Sequence, residues 1–278
     1  MKHLEGNFKG HNDLDLYYQA WLPATRPRAV VVAVHGLAEH SGRYSNLVDR
    51  LLPKGYAVYM HDLRGHGRSH GRAGYVERFS FYLKDLKLFL DIVAGEQPER
   101  PIFLLGHSVG GTIVAAYAGE WTDGLSGVIF SAPALRPGKG LSPVVIFLAR
   151  VLSRIAPKLG VSRLDANGIS QDRTVVDAYV SDPLVFRGKI SARLGGELLS
   201  AMRQLPEQTP RIDVPTLIMH GSDDVMSDPQ GSQNLYGLIS STDKTLTFYD
   251  GFHHEIFNEP GRDQVLADLE AWLTAHTK

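Results

Sequence analysis

Short, almost uninterrupted apolar runs recur along this chain, with stretches of helical periodicity between them. Ala29 to Val34, Tyr56 to Met60, Ile102 to Leu105, Val128 to Phe130 and Thr216 to Met219 are the clearest. Runs without a polar face fit strands buried on both sides, as in a parallel sheet covered by helices. Between them, Phe79, Leu83, Leu86, Phe89, Leu90 and Val93 recur at helical spacing, and Ser45–Leu52, Thr112–Ala118 and Val265–Leu273 read as further helices. Leu14–Leu22 roughly alternates and reads as a strand, and Thr245–Tyr249 adds another. This alternation predicts an α/β fold with a mainly parallel sheet flanked by helices and right-handed crossovers.

The length, 278 residues, suits one large α/β domain or about two smaller ones. Such a chain buries roughly three quarters of its unfolded surface and needs neither disulfide nor structural metal to fold. It contains no Cys, which excludes a thiolate nucleophile and thiolate-ligated metal centres. Lys and Arg number 29 against 30 Asp and Glu, so no nucleic-acid partner is expected. The first eighteen residues hold no apolar run of the leader type. The most apolar stretch, Val144 to Leu152, carries Arg150 and falls far short of the ~20 residues a membrane span needs. A soluble, cytoplasmic protein is the expectation, and nothing in the sequence fixes its oligomeric state.

Between Pro133 and about Pro210 the rhythm changes. Helical signals continue, but no convincing strand follows. Val144, Phe147, Leu148, Val151, Leu152 and Ile155 fall on one helical face. An insertion between two sheet strands sits over their carboxyl ends, where open α/β sheets bind ligands. The expected organisation is a core of residues 1–133 and 211–278 with a helical cap of residues 134–210. The apolar face of that first helix is expected to line a substrate tunnel.

The pattern Gly-x-Ser-x-Gly occurs at Gly67–Gly71 and at Gly106–Gly110. Only the second has the right surroundings. Ser108 follows the apolar run Ile102–Leu105 and precedes the small-residue helix from Thr112, which makes strand, sharp turn and helix. The turn crowds the serine's neighbours, so glycines are needed two positions away on each side. Ser69 lies among His, Arg and Gly, with no apolar helix after it, and reads as part of a polar loop. A nucleophilic serine needs a base, and the base needs an orienting carboxylate. Two later loops follow strands in the right chain order. His220-Gly221-Ser222-Asp223-Asp224 offers two acids, and Asp250-Gly251-Phe252-His253-His254 offers two histidines.

Several segments beyond the serine turn carry a resemblance. They are His35-Gly36-Leu37-Ala38-Glu39-His40-Ser41-Gly42-Arg43-Tyr44, Asp62-Leu63-Arg64-Gly65-His66-Gly67-Arg68-Ser69, Asp182-Pro183-Leu184-Val185, the loop Gly221–Asp224 and His254-Glu255-Ile256-Phe257. Through them the chain resembles the monoacylglycerol lipase family of the α/β-hydrolase fold over almost its whole length. The resemblance implies Ser108 as nucleophile, Asp224 rather than Asp223 as acid, and His254 rather than His253 as base. It implies an oxyanion hole from the backbone N–H groups of Leu37 and Val109. Glu39 and Arg43 would shape the pocket around a polar alcohol end, or else form a structural salt bridge. Some members carry a His three residues after the catalytic one, where this chain has Phe257.

The reaction so implied is hydrolysis of monoacylglycerols or similar small acyl esters, with no cofactor and no metal. The cap would touch a membrane or micelle surface transiently. With an unperturbed His254, activity should rise around pH 6–7.5. Two other readings share these residues: a serine aminopeptidase or amidase of the same fold, and a non-catalytic ligand receptor. His61, Asp62, His66 and His70 cluster in sequence, but in a Gly- and Arg-rich loop that suits a structural role better than a metal site.

Overall fold

The computed structural model describes residues 1–137 and 143–277, with side chains except those of residues 143–146 and 150. Eight strands form one sheet: β1 (Lys2–Lys9), β2 (Asp15–Leu22), β3 (Ala29–Val34), β4 (Tyr56–His61), β5 (Ile102–His107), β6 (Gly127–Ser131), β9 (Thr216–Gly221) and β10 (Lys244–Tyr249). Their order is β1-β2-β4-β3-β5-β6-β9-β10. The pairs β1–β2 and β2–β4 are antiparallel, and all others are parallel. Two short strands, β7 (Gly160–Ser162) and β8 (Ile190–Ser191), pair separately. The helices are α1 (Ser45–Leu51), α2 (Ser80–Glu96), α3 (Val109–Ala118), α4 (Pro143–Ile155), α5 (Arg173–Ser181), α6 (Ala192–Gln208), α7 (Gln230–Leu238) and α8 (Arg262–His276). This is the α/β-hydrolase arrangement.

Strand pleating divides the core into two layers. Val30, Val32 and Val34 of β3 join Leu86 and Phe89 of α2 and Ile113 of α3 on one face. Ala29, Val31 and Ala33 join Leu47 and Leu51 of α1 and Leu266 and Leu269 of α8 on the other. Successive residues of a strand point to opposite faces, so a run apolar at every position must be covered twice. Each large apolar side chain so buried contributes about 1.5–3 kcal/mol before entropy is counted.

The insertion departs from expectation in two ways. It contains the small β7–β8 pair where no strand was expected, because strands of two or three residues are too short to show a period. The described side chains of α4 also do not line the cavity beside Ser108. Phe147 and Ile155 are 63% and 73% exposed, so the apolar face points outward. Residues 138–142 of the expected cap, and the Val144 side chain, lie outside the described residues. In contrast, α6 is anchored: Leu194, Leu198, Ala201 and Leu205 belong to the same buried cluster as Ile113 and Tyr117 of α3. No described helix is long and apolar enough to cross a membrane.

Candidate active site

The serine turn is built from backbone crowding. Ser108 sits between β5 and α3 at φ 54°, ψ −121°, a left-handed conformation for a side-chain-bearing residue. Such strain costs on the order of 1–3 kcal/mol and persists only where the surroundings enforce it. A Cβ on Gly106 would meet the Gly110 carbonyl oxygen at 2.5 Å, and one on Gly110 would meet the Val34 carbonyl oxygen at 2.1 Å. The Ser108 N–H donates to the Ser131 carbonyl (3.1 Å), and the Ser108 carbonyl accepts from the Ala134 N–H (2.9 Å). Helix α3 starts at Val109, immediately after the serine, so the positive end of its dipole faces the place where negative charge develops.

The two loops differ in burial. Asp224 is 6% exposed, whereas Asp223 is exposed, and among the described residues its carboxylate accepts only from Ser222 Oγ at 3.0 Å. The Asp224 Oδ2 accepts from His254 Nδ1 at 2.7 Å and from His220 Nε2 at 3.0 Å. Its Oδ1 accepts from the Met226 and Ser227 N–H groups at 2.7 and 3.0 Å. Burial works against this charge, but His254 and His220 outweigh it and hold the carboxyl well below the usual range. His253 lies beside this array, and its Nδ1 has no partner among the described residues. For His254, burial pulls the pKa down, yet Asp224 prevails and raises it overall. The pH expectation drawn from an unperturbed histidine is corrected accordingly.

Ser108, His254, Leu37 and Val109 all open on one cavity of about 530 Å³. No hydrogen bond among the described residues uses the N–H of Leu37 or Val109. Ile169, Leu198, Leu199, Met202, Val225 and Met226 make up its apolar walls.

Glu39 and Arg43 are brought together and buried near Ser108. Glu39 Oε1 accepts from the Gly36 N–H (2.6 Å) and from Tyr44 Oη (2.8 Å), and its Oε2 accepts from Arg43 (3.2 Å). Arg43 reaches on to Glu255 in a two-pronged pair of 2.5 and 2.8 Å. It also lies over the Tyr179 ring, 4.6 Å from its centroid. Burial resists ionisation of Glu39, but the Arg43 charge and the Gly36 N–H hold its carboxyl well below the usual range. Glu39 touches the cavity and Arg43 stands behind it.

Sequence reasoning missed His220, His107 and Glu255. His220 donates to Asp224 through Nε2 and accepts from Ser232 Oγ through Nδ1 (2.7 Å), which fixes the carboxylate from its far side. The only signal for it is a His four residues before the acid. The His107 ring lies tilted against that of His254, 4.8 Å between centroids, and burial and that neighbour push it down to about 3, so it stays neutral. In the His-rich loop, Asp62 accepts from Ser41 N–H and Oγ and from the Arg68 N–H. Ser69 Oγ donates to the Asp62 carbonyl at 2.6 Å. No group of three potential ligands among the described residues could hold a metal ion.

The family model described as serine aminopeptidase, S33, matches residues 25–261. A monoacylglycerol lipase of Mycolicibacterium smegmatis is 38% identical over 272 residues, covering 98% of this chain and 97% of that protein. The crystal structure of the Paleococcus ferrophilus monoacylglycerol lipase is 33% identical with a TM-score of 0.82, covering 99% of this chain and all of that one. A soluble variant of the monoglyceride lipase of Saccharomyces cerevisiae, solved with a substrate analogue, is 29% identical with a TM-score of 0.87, over 99% and 95% of the two chains.

Proposed function

This chain belongs to the monoacylglycerol lipase family of the α/β-hydrolase fold, and we propose that it is a serine carboxylester hydrolase that cleaves monoacylglycerols through an acyl-enzyme. One observation carries the reading: the Ser108 turn and the Asp224–His254 pair meet at an apolar cavity whose lining includes Leu37 and Val109, two residues whose backbone N–H groups are uncommitted among the described residues. His254 Nε2 takes the Ser108 proton as Oγ attacks the ester carbonyl carbon. The carbonyl electron pair moves to oxygen, where the Leu37 and Val109 N–H groups receive it. The intermediate collapses, the ester C–O bond breaks, and His254 returns the proton to the departing glycerol oxygen. Water then attacks the acyl-enzyme with His254 as base, and the fatty acid leaves. Asp224 keeps the His254 tautomer and stabilises its cation.

The model description that names an aminopeptidase keeps a second reading in view. An amine substrate needs a free carboxylate in the pocket. Both glutamates at this cavity, Glu39 and Glu255, are engaged by Arg43, so neither is a free carboxylate. The remaining acid, Asp165, is exposed and caps Asn167. This favours uncharged esters.

The reading divides the chain into a core of residues 1–133 and 211–278 and a cap of residues 134–210. It assigns a cytoplasmic location with transient contact to lipid. Phe147, Val151 and Ile155, on one face of α4 and all exposed, support that contact. Liposome co-sedimentation weakened by Phe147→Ser and Ile155→Ser tests it; undiminished binding in both variants overturns it.

The decisive experiment compares wild type and Ser108→Ala on monoglycerides, triglycerides, lysophospholipids and simple esters of graded length. Loss of about a million-fold in kcat is expected for the variant. Near-full activity in Ser108→Ala refutes the nucleophile. Wild-type activity on simple esters alone refutes the glyceride assignment.

A further inference from the structure

A second cavity, of about 300 Å³, lies against the first. Leu199, Met202 and Leu205 of α6 line it opposite Leu235 and Leu238 of α7. Leu199 and Met202 also line the active cavity, so the two spaces share a wall. A medium-chain substrate does not need this space. At ~30 Å³ for each methylene, about the share of a water molecule, the active cavity of about 530 Å³ already holds a medium-chain acyl group with its head. The second cavity adds room for about ten more methylenes.

Its lining is apolar, but its rim is cationic. Arg136 and Arg203 both border it. Arg136 pairs with Asp228 at 3.4 Å. Arg203 is exposed, and no hydrogen bond or ion pair among the described residues engages it. An apolar slot of this size with an uncommitted guanidinium at its edge matches an amphiphile with one carboxylate and a medium-length tail. We propose that this cavity between α6 and α7 binds a free fatty acid, its tail among the leucines and its carboxylate at Arg203. The identification of that ligand as the reaction's own product rests on the ester-hydrolase reading. Because Leu199 and Met202 are common to both cavities, an occupied second site narrows the first. The product then slows its own formation from a site other than the one beside Ser108.

The test separates the two cavities. A long-chain alkyl fluorophosphonate reacts with Ser108, loses fluoride and leaves its tail in the active cavity. Decanoate and dodecanoate are then titrated calorimetrically into the labelled protein. One equivalent is expected to bind, about tenfold more weakly in Arg203→Glu and not at all in Leu238→Trp, whose indole fills the slot. Leu238 is 38% exposed at the end of α7, so the larger ring has room to be accommodated. Turnover of a short-chain ester by Leu238→Trp should match wild type, which shows that the variant is folded. Methyl decanoate should bind more weakly than decanoate. The proposal is overturned if the labelled protein takes up no fatty acid, if all three proteins bind it equally, or if the methyl ester binds as well. If the phosphonate fails to label Ser108, it is the hydrolase reading that falls, and the same titration of unlabelled wild type against Leu238→Trp still decides the fatty-acid site.

Discussion

Glu39→Gln separates two roles that a carboxylate beside a nucleophile can have. In the structure its Oε1 receives the Gly36 N–H at 2.6 Å, one residue before the Leu37 amide assigned to the oxyanion hole. Its other oxygen receives Arg43. Glutamine keeps one acceptor but presents an NH₂ group to a second donor or to the Gly36 N–H, so one buried donor loses its partner. A hydrogen bond to a charged group is worth about 1.5–3 kcal/mol, and Arg43 keeps its two-pronged pair with Glu255. A positional loss of that size at the Leu37 turn converts to a fall in kcat of about ten- to a hundredfold. KM should stay within about twofold of wild type, because ground-state binding depends on the apolar walls. The assay is steady-state hydrolysis of a monoglyceride and of a p-nitrophenyl ester of the same acyl length. An equal fall in kcat for both substrates supports positioning. A rise in KM for the glyceride alone, with kcat unchanged, refutes the argument and makes Glu39 a contact to the glycerol head.

Three further outcomes follow from the same geometry. In the proposed mechanism the neutral form of His254 is the base, so kcat/KM rises with pH through its pKa; because that pKa is raised, the acidic limb is expected above 6.5. Asp224→Asn should move the limb below 6.5 and lower the plateau, and a limb unmoved by that change refutes the pairing. Stability should fall in acid. Burial depresses His61 to about 3, His66 to about 4 and His107 to about 3, while the unfolded chain binds these protons near 6.5. The unfolded state therefore gains protons first as pH falls below that value, and each such histidine removes about 1.4 kcal/mol of stability per pH unit until its folded pKa is reached. His254 opposes this, since a raised folded pKa contributes stability at low pH that fades as pH rises. The urea midpoint should be lower at pH 5 than at pH 7.5, with a shallower fall in His61→Leu; a midpoint unchanged between the two pH values counts against it. Finally, each methylene buried in the cavity adds about 0.8 kcal/mol, so kcat/KM on monoglycerides should climb about fourfold per carbon until the cavity is full. A flat series from acetyl to decanoyl refutes an acyl-lined pocket.

The sheet was legible because its cause is local. A strand buried on both faces writes that burial into consecutive residues, and β3, β4 and β5 were read at or near their observed limits. The edge strand β1 was not, because only Phe8 among its side chains is buried and charged residues face water along the rest. Periodicity also told which α4 residues share a face without telling which way that face points. The serine turn was legible through the glycines it requires. The choice of Asp224 over Asp223 was not legible from the residues alone, because it depends on which carboxylate is turned inward to His254 and His220.

No pattern in the sequence marks the strain that the site concentrates. Of the six side-chain-bearing residues with left-handed backbone among the described residues, three lie around the site: Ala38 (φ 70°), Ser108 (φ 54°) and Ala132 (φ 44°). They follow β3, β5 and β6, three adjacent parallel strands, each just past its carboxyl end. Each is held by a bond from another segment. The Ala38 carbonyl accepts from the Phe186 N–H at 2.8 Å, the Ala132 N–H donates to the Met219 carbonyl at 2.8 Å, and the Ser108 carbonyl accepts from the Ala134 N–H at 2.9 Å. Left-handed backbone costs a residue with a Cβ about 1–2 kcal/mol, comparable to one such hydrogen bond. The nucleophile and the oxyanion turn therefore keep their shape only while β9 and the inserted segment stay docked. Residues that never meet the substrate, Phe186 and Met219 among them, thus belong to the structural conditions for its turnover.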